Sequence, residues 1–423
     1  MVTQVQVTVP PAETRSGDNG NVALTAPGEI EVALLTGGFD KPYAFGLAMV
    51  LAAQGVSLDM IGSDAVDSPE LHTTPRLSFM NLQGSQRDAS LAVKISRALV
   101  FYARLIRYAA VAQPRVFHIL WNNKLQFLDR TLLMLYYKAL GKKIVFTAHN
   151  VNAGKRDAND SLLNRITLRA QYLLADHIFV HTEKMRQELL QDFGVREEAV
   201  SVIPFGINNS VPHTDLTPGE AKRRLGITGD QRTILFFGAI RPYKGLEYLV
   251  ESFLRLATTH PEYRLVIAGD TRKGAENYLE KIQRTMDCHP NRAQVIQKIQ
   301  YIPDEETELY FKAADVLALP YTHIFQSGVL FLAHSFGLPV VAADVGSISD
   351  DIIEGRTGFL CRPCDAADLA RAIEKYFESD LFKTLDRRRQ EIRDYANARH
   401  SWDIVGEITR SAYAELLEGV IRS

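Results

Sequence analysis

The sequence has 423 residues, of which 46% are hydrophobic and 23% are charged, and a formal net charge of −2. This length exceeds one ordinary core, so two or more domains are predicted, and a charge near zero excludes a general attraction to nucleic acid. Three cysteines, Cys288, Cys361 and Cys364, do not indicate a disulfide framework and fit a reducing compartment. No run of about 18 apolar residues occurs, so no membrane-spanning helix is predicted.

The first part of the chain predicts a disordered tail followed by a parallel sheet. Residues 1–28 are rich in Pro, Gly, Thr, Asn and Ser and lack the basic start and apolar core of a signal peptide. Short apolar runs then alternate with helical patterns such as residues 44–53. This alternation is typical of a sheet covered by helices on both faces. The predicted strands are residues 31–36, 56–61, 116–120, 144–148, 178–181 and 200–203.

Turn-forming residues interrupt this alternation over residues 204–218, which we interpret as an interdomain linker. The pattern restarts with predicted strands at 233–237, 265–268, 316–319 and 340–343. We therefore predict an α/β fold of two tandem doubly wound Rossmann-like domains, residues 29–210 and 211–400, with a helix at 401–423 packing along them. In such folds the cleft at the carboxyl ends of the strands is the default ligand site.

Two cations follow the first strand of the second domain. After the strand at 233–237, Gly238 permits a tight turn, and Gly245 opens an apolar helical pattern. Arg241 and Lys244 therefore lie near a helix N-terminus, where unpaired N–H groups attract phosphates. Taken alone, the same residues are equally well interpreted as ordinary solvated loop cations.

Glycine-rich turns recur at the ends of several predicted strands. They lie at Gly37-Gly38, Gly238, Gly269, Ser327-Gly328 and Gly346-Ser347. Placed around one cleft, their backbone N–H groups would hold a diphosphate without a metal ion. No Asp-x-Asp pair stands out as a metal anchor, so no metal site is predicted.

The chain resembles the two-domain retaining glycosyltransferases of the large family 4. The resemblance covers nearly the whole chain after the tail, and its most specific segments are residues 237–245 (FGAIRPYKG) and 337–346 (GLPVVAADVG). Residues 314–320 and 354–359 support it. The resemblance implies a GT-B fold and metal-independent transfer of a hexose from a UDP- or GDP-linked donor, with no further cofactor. It also implies a saccharide or lipid-linked acceptor, as in polysaccharide or glycoconjugate synthesis.

The resemblance also implies roles for particular residues. Arg241 and Lys244 would bind the donor diphosphate and assist its departure, although many relatives carry the arginine at the position of Ala239. His149, at the end of the strand at 144–148, would face the donor sugar as a third catalytic residue. Gly37 and Gly38 would approach the donor phosphates or the acceptor, and Gly238 would bind the donor. Tyr301 would approach the nucleotide base or, alternatively, be a surface-loop aromatic residue.

The sequence departs from the family between residues 320 and 337. The family has two glutamates there, at positions that Ile324 and Leu332 occupy in this chain. A Gln-Ser-Gly variant of the loop, which resembles one branch of the family, stands instead. We predict that its residues Gln326, Ser327, Gly328 and Val329 bind the donor. The alternative for Ser327 is a helix N-cap with no ligand role.

Residues 93–111 carry four cations among apolar residues, and 124–143 is also apolar with basic residues towards its end. Such helices lie on anionic membrane surfaces or, more often, merely cover a sheet. A cytoplasmic location with a peripheral membrane surface as a partner is therefore one expectation.

Two alternatives to sugar transfer stay open: a nucleotide-sugar epimerase on the same scaffold, and an inactive nucleotide-binding scaffold protein lacking the glutamates.

Overall fold

A computed structural model describes residues 29–38, 40–85, 90–123, 125–156, 160–207, 211, 213–271 and 274–421. The tail predicted at residues 1–28 lies outside the described residues. None of the described helices is long and apolar enough to cross a membrane.

The first domain is built on a seven-stranded parallel sheet with the strand order β3-β2-β1-β4-β5-β6-β7. Its strands are β1 Glu31–Leu35, β2 Ser57–Gly62, β3 Leu77–Asn81, β4 Val116–Ile119, β5 Lys143–Ala148, β6 His177–Val180 and β7 Val200–Val202. The helices are α1 Lys41–Ala53, α2 Pro69–Thr73, α3 Leu91–Val111, α4 Leu133–Ala139, α5 Ala153–Arg156, α6 Leu162–Leu174 and α7 Glu183–Phe193, and a π-helical turn, Leu128–Leu132, precedes α4.

The second domain has a six-stranded parallel sheet with the order β10-β9-β8-β11-β12-β13. Its strands are β8 Arg232–Phe237, β9 Tyr263–Gly269, β10 Val295–Ile299, β11 Val316–Leu319, β12 Val340–Ala343 and β13 Gly358–Cys361. The helices are α8 Pro218–Arg224, α9 Leu246–Leu256, α10 Glu276–Asp287, α11 Asp304–Ala313, α12 Gly328–Ser335, α13 Ala366–Glu378, α14 Asp380–Lys383 and α15 Leu385–His400, and α16 Trp402–Ile421 follows at the end of the chain. The predicted pair of Rossmann-like domains is confirmed.

Three strands are absent from the sequence prediction: β13, at one edge of the second sheet, and β3 and β10. β3 and β10 are also edge strands, one in each sheet. Their residues are mostly half-buried or exposed, whereas the central strands β4, β6, β11 and β12 are buried at every position. An edge strand has a partner on one side only and needs no continuous apolar run, so the apolar pattern that reveals central strands is missing there.

Each sheet has a core on both faces. In the first domain α3, α4, α6 and α7 cover one face, and α1 covers the other together with α16 from the end of the chain. In the second domain α9, α10 and α13 cover one face, and α11 and α12 the other. The carboxyl ends of both parallel sheets are therefore left for loops, as the doubly wound topology requires.

The last helix returns to the first domain. The Trp402 indole Nε1 donates a hydrogen bond to the carbonyl of Ile207 over 2.8 Å. Further along α16, the buried Tyr413 hydroxyl lies 2.5 Å from Nδ1 of His118 on β4. The chain thus crosses between domains twice, once at the linker and once at Trp402. The domain limits at residues 210 and 400 stay predictions.

We expect Gly46→Ala to destabilise the protein although alanine is the better helix former. A Cβ at Gly46 in α1 would overlap the Trp402 ring, and overpacking of this kind costs about 1–3 kcal/mol. The matched control is Gly219→Ala in α8, where the new Cβ would lie 3.8 Å from the nearest neighbouring atom, on the Arg223 side chain. That change should be neutral or stabilising by up to about 1 kcal/mol. Urea unfolding of both variants measures the difference, and equal stabilities would contradict the packing described for Trp402.

Candidate functional site

A cleft of about 350 Å³ lies between the carboxyl ends of the two sheets. Both domains line it, the first through Asp40, Tyr43 and Phe205, the second through the loops after β8, β10 and β11. Its volume is within the range of small-molecule sites. Six of the residues predicted from the sequence line this cleft: Lys244, Tyr301, Gln326, Ser327, Gly328 and Val329.

Lys244 ends a short 3-10 turn, Pro242–Lys244, that leads into α9. The next residue, Gly245, has φ +65°, and a Cβ there would overlap the carbonyl of Pro320, so only glycine lets the turn approach the end of β11. Lys244 is 7% exposed, and its Nζ lies 5.3 Å from the centre of the Tyr321 ring. A Cβ at Gly238 would lie 3.1 Å from this Nζ. The ammonium group is thus held in a largely desolvated position at the cleft.

The Gln-Ser-Gly loop forms the N-terminus of α12. The first N–H groups of a helix have no partner within it, so those at Gly328 and Val329 give this wall of the cleft an anion-attracting character. Ser327 is the N-cap residue, but its side chain makes no capping bond; its Oγ lies 3.3 Å from the Tyr321 hydroxyl instead. Burial raises the pKa of Tyr321 to about 12, which keeps the phenol protonated.

Gln326 lies between this cleft and a neighbouring one that contains Asp351 and His400. Its amide Nε2 donates to the Asp351 carboxylate over 3.5 Å, and the other oxygen of that carboxylate lies 3.1 Å from Nε2 of His400. The Oε1 of Gln326 is buried and has no hydrogen-bond partner within the described part of the chain. This oxygen is an acceptor that a bound ligand could satisfy.

Ile324 and Leu332 both line the cleft, where the resemblance places glutamates in other members. Two carboxylates, Asp40 and Asp304, also line it. Burial raises the pKa of each, with Glu305 adding to the effect at Asp304. The acidic groups of this cleft therefore come from the starts of α1 and α11 rather than from the two positions expected in the family.

His149 lies behind Tyr43, which contacts it edge-on with 4.6 Å between ring centres. Its other neighbours are Trp121, stacked on it at 4.2 Å, and His181, whose Nε2 lies 3.0 Å from Nδ1 of His149. Burial, with His181 adding to it, lowers the pKa of His149 well below its usual value, so the ring is neutral at pH 7. Its Nε2 is buried and lacks a hydrogen-bond partner among the described residues.

Gly37 lines a second, smaller cavity inside the first domain, with Trp121 and Asp129. The cavity has about 20 Å³ of free space, enough for roughly one water molecule. Asp129 accepts hydrogen bonds from the Tyr102 hydroxyl at 3.0 Å and from Asn123 at 3.2 Å, and burial raises its pKa to about 6. Gly38 lies beside the cavity-lining Gln83, so the Gly37-Gly38 turn borders this cavity and does not line the central cleft.

The structure brings some of the predicted site residues to the central cleft and leaves others outside its lining. Gly238 adjoins Lys244 and Val329 and so belongs with the six residues of the central cleft. Arg241 is not among the described residues that line the cleft. Within the described ranges no group of three or more His, Cys, Asp or Glu side chains is placed to hold a metal ion.

Sequence reasoning missed Asp40, Tyr43, Phe205, Tyr321 and Asp129. Tyr321 follows β11 after one proline, and Asp40 follows the Gly37-Gly38 turn, so their positions at strand ends were an available signal. Asp129 had a weaker signal, a single carboxylate within an apolar helical stretch. Phe205 lies in the linker, where no periodic pattern marks a residue as part of a site.

Two family models match the chain. Residues 42–211 match the model described as Glycosyltransferase Family 4, and residues 219–399 match the one described as Glycosyl transferases group 1. Among curated proteins, the chain is 27% identical over 285 residues to the D-inositol 3-phosphate glycosyltransferase of Corynebacterium jeikeium, covering 64% of this chain and 66% of that protein. It is 25% identical to the protein of that name from Nocardioides sp., over 89% of this chain and 86% of that protein.

Solved structures agree with the fold. Sucrose-phosphate synthase from Thermosynechococcus elongatus aligns with a TM-score of 0.73 at 20% identity, over 92% of this chain and 99% of that one. HepE from Anabaena, solved with UDP and glucose, aligns with a TM-score of 0.71 at 17% identity, over 92% of this chain and 100% of that one. At such identities the agreement concerns the arrangement of the two domains.

We expect the free energy of unfolding to fall as the pH is lowered from 7.5 to 5. Burial lowers the pKa of His118 to about 3 and that of His181 to about 4, and it lowers the pKa of His149 as well. Below about pH 6.5 a histidine of the unfolded chain binds a proton, whereas the buried histidine stays neutral. Each of these three histidines therefore lowers the free energy of unfolding by about 2 kcal/mol at pH 5. Asp129 acts in the opposite sense between about pH 6 and 4, because its raised pKa favours the protonated folded state there.

Urea unfolding at several pH values measures this dependence. In His118→Gln, an amide can replace the imidazole between the Tyr413 hydroxyl and Thr147, and it does not titrate. The free energy of unfolding of this variant should fall less than that of the wild-type protein between pH 7.5 and 5. A wild-type protein equally stable at both pH values, or an unchanged slope in the variant, would contradict the buried neutral state of these histidines.

Proposed function

Since the chain belongs to the family 4 glycosyltransferases, we propose that it moves a sugar from a nucleotide-sugar donor to an acceptor hydroxyl. The family models describe glycosyl transferases over both domains, which favours transfer over the epimerase alternative. The observation that supports the donor site most directly is the position of Lys244. Its buried ammonium group shares a cleft with the N-terminus of α12, two features that attract the same kind of ligand, an anionic diphosphate.

We propose that Lys244 and the N–H groups of Gly328 and Val329 stabilise the negative charge that grows on the diphosphate as it leaves the sugar. Preorganised donors in a desolvated site stabilise such charge more strongly than water does. Arg241 remains a proposed second cation, which would have to approach the cleft when the donor binds. Tyr301, which is 66% exposed at the rim, would contact the nucleotide base.

The proposed reaction is retaining and metal-independent. The departing diphosphate would take the proton of the acceptor hydroxyl, which attacks from the face that the diphosphate leaves. His149 is neutral and contacts Tyr43, which lines the cleft. Its proposed role is therefore hydrogen bonding to the donor sugar and not charge stabilisation. The first domain would hold the acceptor, and closure of the two domains would exclude water from the reacting groups.

The proposed donors carry UDP or GDP, with no other cofactor. HepE was solved with UDP-glucose as well as with UDP, which makes UDP the first nucleotide to test. The proposed acceptor is a saccharide or a lipid-linked saccharide, as in polysaccharide or glycoconjugate synthesis at the inner face of the cell membrane. The acceptor class and the location are implied by the resemblance to the family 4 glycosyltransferases.

We also propose that the chain belongs to the Gln-Ser-Gly branch of the family. In this branch Gln326 would supply contacts to the sugar or phosphate, and its unpartnered Oε1 supports that role. Ile324 and Leu332 make the neighbouring wall apolar, so recognition of the donor would depend less on side-chain carboxylates. The inactive scaffold remains the second candidate, because those same apolar residues stand where the family has glutamates.

We expect Lys244→Met to abolish most transfer while leaving the fold intact, since methionine keeps most of the apolar side chain and removes the charge. Loss of one such donor typically lowers turnover about 100- to 1000-fold. The wild-type thermal midpoint should rise with one nucleoside diphosphate in a panel that includes UDP and GDP, because a ligand of the folded state stabilises it. This rise should shrink in the variant.

The matched control is Lys281→Met, which removes an exposed lysine from α10, remote from the cleft lining. It should keep the full nucleotide response and the full activity. No response of the wild-type protein to any nucleotide would refute the donor site. A nucleotide response with no transfer to any acceptor tested would favour the inactive scaffold.

The transfer product should have the anomeric configuration of the donor, and transfer should continue in EDTA. Proton NMR of the product, taken before anomers of free sugars can equilibrate, gives the configuration from the coupling of the anomeric proton. An inverted product would exclude the proposed attack from the leaving-group face. Inhibition by EDTA that added Mg²⁺ or Mn²⁺ reverses would exclude the metal-independent form of the proposal.

A further inference from the structure

Three neighbouring helices of the first domain leave large hydrophobic side chains exposed. In the described part of the chain, all such exposed side chains except Tyr301 and Ile404 lie on α3, on α6, or on the segment at residues 125–140 that contains α4. We call this surface the three-helix face. Its exposed hydrophobic residues are Leu91, Val93, Ile95, Leu99, Val100, Ile106, Val111, Leu125, Phe127, Leu132, Leu135, Leu140, Leu162, Leu163, Ile166 and Leu173.

The three helices form one continuous surface. The Tyr136 hydroxyl of α4 donates a hydrogen bond to the carbonyl of Ile106 on α3, and α6 packs against α4 and the π-helical turn before it. All three cover the same face of the first sheet, with inner residues such as Leu105, Leu133 and Leu168 in a common core. Their outer residues therefore point away from the same sheet, to one side of the molecule.

The face is also positively charged. α3 contains Lys94, Arg97, Arg104 and Arg107 and no acidic residue, and α6 contains two arginines and no acidic residue. In the segment at 125–140 the single acidic residue, Asp129, is 4% exposed. Flanking acids neutralise part of this charge, since Asp160 pairs with Arg165 and Asp176 with Lys138. Within α3 itself, the exposed hydrophobic side chains alternate with cations and with no acidic residue.

Helix α7 shows that covering the sheet does not require such a surface. It packs on the same face through Met185 and Leu189, yet it contributes none of the exposed large hydrophobic side chains of the described residues. Its sequence carries two glutamates and an aspartate beside two cations. The apolar and basic character is therefore specific to α3, α4 and α6, and a contiguous exposed apolar patch of this kind marks an interaction surface.

We propose that the three-helix face docks on an anionic membrane surface, with its leucine, isoleucine and phenylalanine side chains in the lipid interface and its arginines and lysines among the headgroups. Helices that combine an apolar face with cations lie in the plane of such interfaces. Charge favours this partner over a second copy of the chain, because two such faces would bring like charges together. α3, with 21 residues, would lie along the surface for about 30 Å.

This docking would place the membrane next to the proposed acceptor domain. The inner residues Phe101 and Leu105 of α3 and Leu133 of α4 line the same small cavity as Gly37 and Asp129. A lipid-linked acceptor held at the bilayer would therefore be next to the domain that we propose to bind it. The biological purpose of this docking rests on the proposed function. Membrane binding and donor binding are nevertheless measured independently of each other.

Vesicle flotation of the purified full chain tests the proposal. The protein should float with vesicles of phosphatidylcholine and phosphatidylglycerol, and less with phosphatidylcholine alone or at high salt. The double variant Leu99→Gln/Leu163→Gln removes two side chains that are 66% and 60% exposed, and Arg104→Gln/Arg107→Gln removes two cations. Each should weaken binding to anionic vesicles at least about tenfold.

The matched control is Arg284→Gln/Arg387→Gln, which removes the same charge from exposed positions of the second domain and should not change flotation. All variants should keep the thermal midpoint and the nucleotide response of the wild-type protein, since none of these residues lines the cleft. Absence of wild-type flotation, or equal binding by all variants, would overturn the proposal. So would a concentration-dependent dimer that Leu99→Gln/Leu163→Gln abolishes without any vesicle binding.

Discussion

Packing of the half-buried Trp402 indole ties the last helix to the first domain and to the linker. Its Nε1 donates to the linker carbonyl of Ile207, and its ring occupies the space that Gly46 and Gly206 leave by having no side chain. The same ring contacts Tyr43 at 5.3 Å between ring centres. Because Tyr43 and the linker residue Phe205 line the cleft, this one half-buried side chain positions the wall of the first domain, the linker and the last helix together.

The two walls of the cleft differ in their chemistry. The second domain supplies a buried cation and the N-terminus of α12, which attract anions. The first supplies aromatic rings, and behind Tyr43 lies His149, which burial keeps neutral. Lys184 of the first domain also donates a hydrogen bond to the carbonyl of Gly346, beside the Gln-Ser-Gly loop. That contact joins the two walls near the proposed donor site, so donor binding and the approach of the domains are expected to be coupled.

Helix α3 shows how one element can serve the core and an interface. Its inner residues Phe101, Tyr102 and Leu105 pack on the sheet, and its outer residues are exposed and apolar. From the sequence, the cations among its apolar residues fitted either a membrane surface or a helix that covers a sheet. The structure shows that it covers the sheet and also exposes leucines and isoleucines, because a helix of 21 residues offers more apolar side chains than one sheet contact can bury.

The sequence by itself determined the two Rossmann-like domains, since central parallel strands must be apolar on both faces and appear as continuous runs. It also indicated Lys244 and the Gln-Ser-Gly loop, because both follow strand ends in a recognisable order. Only the tertiary structure decided which strand ends meet. It brought Lys244, Gln326 and Tyr301 to one cleft and left the Gly37-Gly38 turn at a separate cavity. Local patterns fix the elements, but the distance between two loops depends on how both domains pack, which no local pattern records.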